Sequence, residues 1–400
     1  MEIFGSVKTY EWGKLGLDSE VARLMQDSAA PFSADGETPY AELWLGDHPS
    51  GPSTLKETGA ELGAVLNKNR EDKVQLPFLF KVLSIRKALS IQIHPDKAEA
   101  ERLHSARPDI YKDPNHKPEL AIALTPFQAL CGFRPHEEIY NFCKKLKPLT
   151  KLLGEEKVRR LKDSEGVVKE CYERLLTADE VQVEECISQI LEKYSEDLRS
   201  DGILELFQRI NRDFPGDVGV LCLFFFNVIY LEPGEAIFLP ANEPHAYLRG
   251  DVVECMACSD NVIRAGLTPK YKDVPTLIRL LNYGGAPGKA KLLPSTKRDA
   301  FVEMFIPSVK DFAVAKLTLP AEAKRYTWTN GSCGSILLVV RGARVLQSGG
   351  DFDCVQLKRG STVFIPADCK TVEFISSNCE SKEDFVAYLA MYNDFLEMKK

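Results

Sequence analysis

Four side chains in this sequence could hold a metal ion. Gln92 and His94 stand in Ser90-Ile-Gln-Ile-His-Pro-Asp96, Glu119 closes Asn115-His-Lys-Pro-Glu119, and His245 lies in Pro244-His-Ala-Tyr247. Two imidazoles and a carboxylate suit a divalent cation of borderline softness. A lone histidine in an apolar strand is more often a satisfied core residue. Here the company changes the reading, because residues two apart on a strand share a face and Gln92 would point with His94. An amide is an unusual fourth ligand. Asp96 and Glu99 read as a capping box that starts a helix, which puts His94 at a strand end. Glu119 follows a stiff, proline-punctuated stretch and opens the apolar run Leu120–Leu124, at the mouth of a strand.

The elements that must position these groups fall into blocks. Residues 1–134 carry short β-type runs such as Leu76–Leu83 and Ala88–His94, with turn residues such as Gly46–Pro52 between them. No proline occurs from Leu149 to Phe214, and Ile187, Ile190, Leu191 and Tyr194 keep helical spacing. We read 135–216 as a helical insertion with solvated charged faces, in which Thr177-Ala-Asp-Glu180 predicts a second capping box. The apolar run Val218–Leu231 fits helix or strand, with strand texture clear from Asn227. Gly284–Gly288 reads as a linker. Strand texture then continues to about residue 385, and a short helical tail is expected.

An internal repeat organises the β segments. Leu231-Glu-Pro-Gly-Glu-Ala-Ile-Phe-Leu-Pro-Ala241 matches Leu357-Lys-Arg-Gly-Ser-Thr-Val-Phe-Ile-Pro-Ala367 at an offset of 126 residues. Glycine for the turn, an apolar pair for the core and proline at the strand end read as a cupin-type jelly-roll hairpin. His245 falls at the usual metal position of that hairpin; the equivalent residue in the second copy is Thr371. The fold class expected is therefore mainly β with an α-helical insertion: two cupin-type jelly-roll barrels plus a helical domain. Residues 1–134 and 217–285 would form the catalytic barrel, and 286–400 a C-terminal barrel without a metal site.

A net charge of −7 argues against a general nucleic-acid binder. Against that background Lys81, Lys97, Lys117, Arg264 and Lys270, all near ligand-bearing motifs, favour an anionic ligand, namely phosphate. His48, on the turn Gly46-Asp-His48, suits either turn structure or a substrate contact or proton carrier. The start of the chain lacks an apolar signal core, and no apolar run is long enough to span a bilayer. The 11 cysteines, several in apolar settings, suggest a reduced, cytoplasmic protein. Cys255 and Cys258 form a lone C-x-x-C, read as strand or core residues.

These motifs together resemble type I mannose-6-phosphate isomerases. Ser-Ile-Gln-Ile-His-Pro-Asp-Lys, Tyr-x-Asp-x-Asn-His-Lys-Pro-Glu, Glu-Pro-His-Ala-Tyr and Ser-Asp-Asn-Val-Ile-Arg-Ala-Gly-Leu-Thr-Pro-Lys carry the likeness, which runs from Tyr10-Glu-Trp-Gly13 to the C-terminal barrel. Gly46-Asp-His48 departs from the Gly-Thr-His of many members. The resemblance implies one zinc ion per chain held by Gln92, His94, Glu119 and His245, and interconversion of mannose 6-phosphate and fructose 6-phosphate through an enediol. That would supply mannose phosphates for GDP-mannose synthesis and glycosylation. It implies Arg264 as the catalytic arginine, and Lys81, Ser90 and Lys270 as substrate contacts. His48, Lys117, Glu254 and Asp260 stay open as the general base. The partner expected is a hexose 6-phosphate, with no nucleic acid, no membrane and a monomeric chain. Two rivals are a non-haem iron cupin dioxygenase, whose iron also takes two histidines and a carboxylate, and a catalytically inactive cupin that binds sugar phosphate.

Overall fold

A computed structural model describes residues 1–68, 71, 74–162, 164–348, 354–376 and 383–396. The chain is mainly β with a helical insertion. The strands that frame the site are β1 (Glu42–Leu45), β2 (Phe78–Ile85), β3 (Ile91–Ile93), β4 (Glu119–Ala123), β5 (Phe127–Phe133), β6 (Phe226–Leu231), β7 (Ala236–Leu239), β8 (His245–Ala257) and β9 (Ile263–Gly266).

They form two layers that share β8. Its first half pairs with β5 and β3, and these carry β6 and β9 at the outside. Its second half pairs with β2 and β4, which carry β1 and β7. The change of layer falls at Gly250, whose φ is +118°. A Cβ there would lie 2.7 Å from the Pro126 carbonyl oxygen. Gly250→Ala combines a left-handed backbone with a clash against main chain, so it is expected to destabilise by about 2 kcal/mol or more. A urea denaturation midpoint unchanged from the parent would contradict that reading.

Alternation along each strand assigns three packing faces. Ile91, Ile93, Ala246, Ile263 and Ala265 turn outward from the first layer into one apolar core with the helical insertion, which includes Leu149, Val168, Tyr172, Ile187 and Phe207. Phe80, Val82, Leu120, Ile122, Val253 and Cys255 turn outward from the second layer. They pack on Val314, Ile336, Leu338 and Phe364 of the C-terminal β domain. Between the layers lie Leu83, Ala121, Phe127, Ile229, Ile237 and Tyr247. The interior parity is the one shared by Lys81, Gln92, Glu119, His245, Glu254 and Arg264.

The insertion leaves from β5 and returns through β6, and these pair at Phe133 and Phe226. Its helices lie between His136 and Asp213. The ambiguous run Val218–Leu231 resolves into a 3₁₀ helix over Val218–Phe224 followed by β6. The predicted capping box at Thr177 does not form. Thr177 ends the preceding helix, its hydroxyl donating to the Glu173 carbonyl at 2.8 Å. Asp179 caps the next helix instead, accepting from the Val181 amide. At the other site Asp96 does cap, accepting from the Glu99 amide at 2.9 Å, while the Glu99 carboxylate goes to Arg102 and Arg279 rather than back to the cap.

The C-terminal domain pairs a six-stranded and a four-stranded sheet around Trp328, Val339, Phe374, Phe385 and Leu389. The sequence repeat is a structural one. β7 spans 236–239 and its counterpart 362–365; Gly234 and Gly360 both have positive φ; the next strands begin at His245 and Thr371. The expected helical tail is overturned among the described residues: residues 385–391 form a strand paired on both sides, and the last four residues lie outside the described ones. No helix among the described residues is long and apolar enough to cross a membrane.

Candidate metal centre and substrate cavity

Both layers contribute to one cluster. In the first layer the register sets His245, Gln92 and Arg264 side by side across β8, β3 and β9. His94 follows one residue after β3, and Glu119 opens β4 in the other layer. His94, Glu119 and His245 are all buried, and one ligand atom from each lies within 4.8 Å of the others. His94 Nε2 is 3.4 Å from Glu119 Oε1, and His245 Nε2 is 3.3 Å from Glu119 Oε2. The Gln92 amide is 3.4 Å from His245 Nε2. Exchanging its two ends, which have the same shape, brings the carbonyl oxygen to that side.

The outer ring nitrogens decide which way the imidazoles work. His94 Nδ1 donates to the Asn261 carbonyl at 2.6 Å, and His245 Nδ1 to the Glu243 carbonyl at 2.9 Å. That tautomer leaves a lone pair on each Nε2, aimed at Glu119. Burial, with Lys117 adding to it, pushes the His94 pKa down to about 4, so the ring is neutral near pH 7. Burial would raise the Glu119 pKa, but its charged surroundings, Lys117 foremost, hold the carboxyl well below its usual range. His94 Nε2 and Glu119 Oε2 are buried without a hydrogen-bond partner. Two orphaned acceptors facing one another would repel; a divalent cation between them satisfies both. The residues present fit a metal ion.

Two families, a zinc isomerase line and an iron oxygenase line, share such a donor set, so the comparisons with known proteins matter. The model of the type I phosphomannose isomerase catalytic domain matches residues 1–136, and that of its helical insertion domain matches 149–226. The mannose-6-phosphate isomerase of Macaca fascicularis is 40% identical, covering 96% of each chain. The chain belongs to the mannose-6-phosphate isomerase family. Among solved structures, a phosphomannose isomerase mutant from Salmonella typhimurium superimposes with a TM-score of 0.82 at 30% identity over 98% of this chain and 99% of that one. A zinc-bound mannose 6-phosphate isomerase gives 0.82 at 30% identity, covering 98% of each.

Around the mannose-6-phosphate isomerase motifs, the charged residues separate into groups. Lys117 Nζ sits 3.1 Å from Glu119 Oε1. Lys81 is buried over the Trp44 ring and pairs with Glu254 Oε2 at 3.2 Å, while the Tyr247 hydroxyl donates to Glu254 Oε1 at 2.9 Å. Burial and the nearby Glu119 charge raise the Glu254 pKa against the pull of Lys81. Arg264, Asp260 and Lys270 line one cavity of about 560 Å³, together with Arg107, Lys112 and Tyr111. His48 Nε2 faces Asp260 Oδ1 at 3.8 Å, and its Nδ1 accepts from the Ser50 amide at 3.2 Å. Ser90 is half-buried two residues before Gln92. Lys97 is half exposed and donates to the Pro114 carbonyl and Asn115, so its contacts are with the loop ahead of Glu119.

Sequence reasoning missed the groups that hold the ligands. Asn261 and Glu243 act through main-chain carbonyls, which no residue pattern advertises. The Glu243 side chain is itself buried and tied to Lys291 and Asn282. Cys255 and Cys258 do not form a metal group: Cys255 packs in the core and the Cys258 thiol meets the Leu76 carbonyl. The second repeat copy puts Thr371 on the surface, and no further histidine–cysteine–carboxylate cluster occurs among the described residues.

Proposed function

We propose that this protein is a zinc-dependent aldose–ketose isomerase that interconverts mannose 6-phosphate and fructose 6-phosphate. The observation that carries the reading is the orphaned His94–Glu119–His245 cluster beside an arginine- and lysine-lined cavity, in a chain of the mannose-6-phosphate isomerase family. Gln92, His94, Glu119 and His245 would hold the zinc. When bound, the ion supplies a Lewis acid that polarises or orients a substrate oxygen.

The chain's own residues do the rest. Isomerisation moves a proton between C1 and C2 through an enediol, with negative charge growing on the two oxygens. Arg264, fixed in the row of Gln92 and His245, stabilises that charge. Lys270, with Arg107 and Lys112 on the same wall, suits the phosphate and anchors the substrate away from the reacting carbons. Four groups could move the proton. Lys117 is committed to Glu119, and Asp260 is half exposed. The accepted hydrogen bond at His48 Nδ1 leaves Nε2 as a donor, suited to a substrate oxygen. Glu254 fits the base best, because it is a buried carboxylate facing the interior between Lys81 and Tyr247, where burial raises its proton affinity. Lys81, Ser90 and Lys97 complete the basic or polar surround. Residues 1–134 with 217–285 form the catalytic unit, 135–216 the insertion, and 286–400 a structural unit. A cytoplasmic monomer supplying mannose phosphates for GDP-mannose fits this role.

Glu254→Gln keeps the shape and a hydrogen bond but cannot take a proton. It is expected to lower kcat about 10²–10⁴-fold with little change in KM. A parent-like kcat would move the base elsewhere. The reading as a whole rests on a coupled assay for fructose 6-phosphate: activity present, abolished by a chelator and restored by zinc supports it, and absence of turnover with zinc loaded overturns it.

A further inference from the structure

Asn261 touches two ligand-bearing segments in two different ways. Its main-chain carbonyl accepts from His94 Nδ1 at 2.6 Å. Its side-chain amide donates to the carbonyls of Asp113 at 2.6 Å and Asn115 at 3.0 Å, in the stretch that runs into Glu119. The side chain is almost wholly buried, at 1% exposure. Neighbouring bonds lace the same two segments together. The Ser259 hydroxyl donates to the Asn115 carbonyl at 3.1 Å and accepts from the Asn261 amide at 3.2 Å. Asn115 Nδ2 donates to the Cys258 carbonyl at 2.9 Å, and the Asp260 amide to Asp113 Oδ2 at 2.8 Å. Residues 107–118 and 258–262 lie outside the helices and strands, so no sheet ladder fixes the approach to Glu119 or the carbonyl that orients His94.

We propose that Asn261 is a positioning residue that sets the spacing of His94 and Glu119 and thereby the affinity and geometry of the metal centre. The proposal rests on reading His94, Glu119 and His245 as that centre. An amide is the side chain suited to this task. It offers two N–H donors in a plane, which meet two main-chain carbonyls on a segment that has no other regular partner. The main-chain carbonyl of the same residue holds the imidazole tautomer, the arrangement by which groups behind metal ligands tune affinity. One residue thus links a ligand from each layer.

The test compares Asn261→Ala with Asn393→Ala in the full chain. Asn393 is buried to 3% exposure in the C-terminal domain and donates to the carbonyls of Pro307 and Val309 at 3.1 and 2.7 Å. It makes the same kind of bonds with no ligand behind them. Each protein is stripped of metal, titrated with zinc against a chromogenic chelator, loaded with cobalt for its visible spectrum, and melted in the stripped state. Both variants are expected to melt lower than the parent. Only Asn261→Ala should bind zinc about 10–100-fold more weakly and shift the cobalt bands. Ser259→Ala removes one bond to each segment and serves as the milder form, with a smaller loss in the same direction, where Asn261→Ala does not fold. Parent-like zinc affinity and cobalt spectrum in both site variants, with only the melting temperature lowered, overturn the proposal. A parent protein that takes up neither zinc nor cobalt overturns instead the reading of the cluster as a metal centre.

Discussion

His245→Ala is expected to lose metal and turnover together. His245 gives the cluster its Nε2, 3.3 Å from Glu119 Oε2 and 3.4 Å from the Gln92 amide, and its Nδ1 donates to the Glu243 carbonyl. The fold therefore loses little while the centre loses a third of its histidine–carboxylate set. Zinc held by four protein ligands is worth roughly 10–16 kcal/mol, so one ligand accounts for about 3–4 kcal/mol, or ~10²–10³-fold in affinity. Metal analysis after dialysis should show the variant largely empty, and the fructose 6-phosphate assay should show only background at trace zinc. Near-full zinc content in the dialysed variant would remove His245 from the ligand set. Cobalt or zinc in large excess should restore part of the occupancy, since Gln92, His94 and Glu119 remain.

Arg264→Ala is expected to separate the two properties. Arg264 shares a row with Gln92 but lies in the cavity wall with Asp260 and Lys270, outside the donor cluster. The variant should keep its zinc. Removing one preorganised donor from developing oxyanion charge costs ~10²–10³-fold in kcat. Arg264→Lys keeps a charge but loses the planar fork, and should recover only part of that. The comparison to make is zinc content against kcat: parent-like kcat in Arg264→Ala would assign the enediolate to another group, and loss of zinc would make Arg264 a structural part of the centre.

The period of two made most of this site legible from residue types. Gln92, Glu119, His245, Glu254 and Arg264 share the interior parity with apolar neighbours on either side, as in Ile91-Gln92-Ile93 and Ile263-Arg264-Ala265, and that pattern survives in a sequence. The repeat was legible because glycine, phenylalanine and proline each do one job at a fixed place in the hairpin. Three things were not. Thr177 reads as a cap, yet its hydroxyl bonds backward because two helices lie end to end there. The strand at Phe385–Met391 follows a segment that composition does not mark, and its identity comes from partners at Ala313–Leu319 and Ser335–Arg341. The work of Asn261 and Glu243 passes through carbonyl oxygens, which every residue has.

The sharing of β8 between the two layers bears on the order of events in folding. His94 and Glu119 precede the helical insertion and His245 follows it, so bringing the ligands together closes the chain around the inserted segment, whose ends pair at Phe133 and Phe226. Closing a loop of that length carries an entropic cost before any of the pairings beyond it forms. The centre is therefore expected to assemble late. Metal uptake during refolding should follow, not precede, the burial of the insertion's core, and the ion would act as a latch on a completed chain rather than as a nucleus for it.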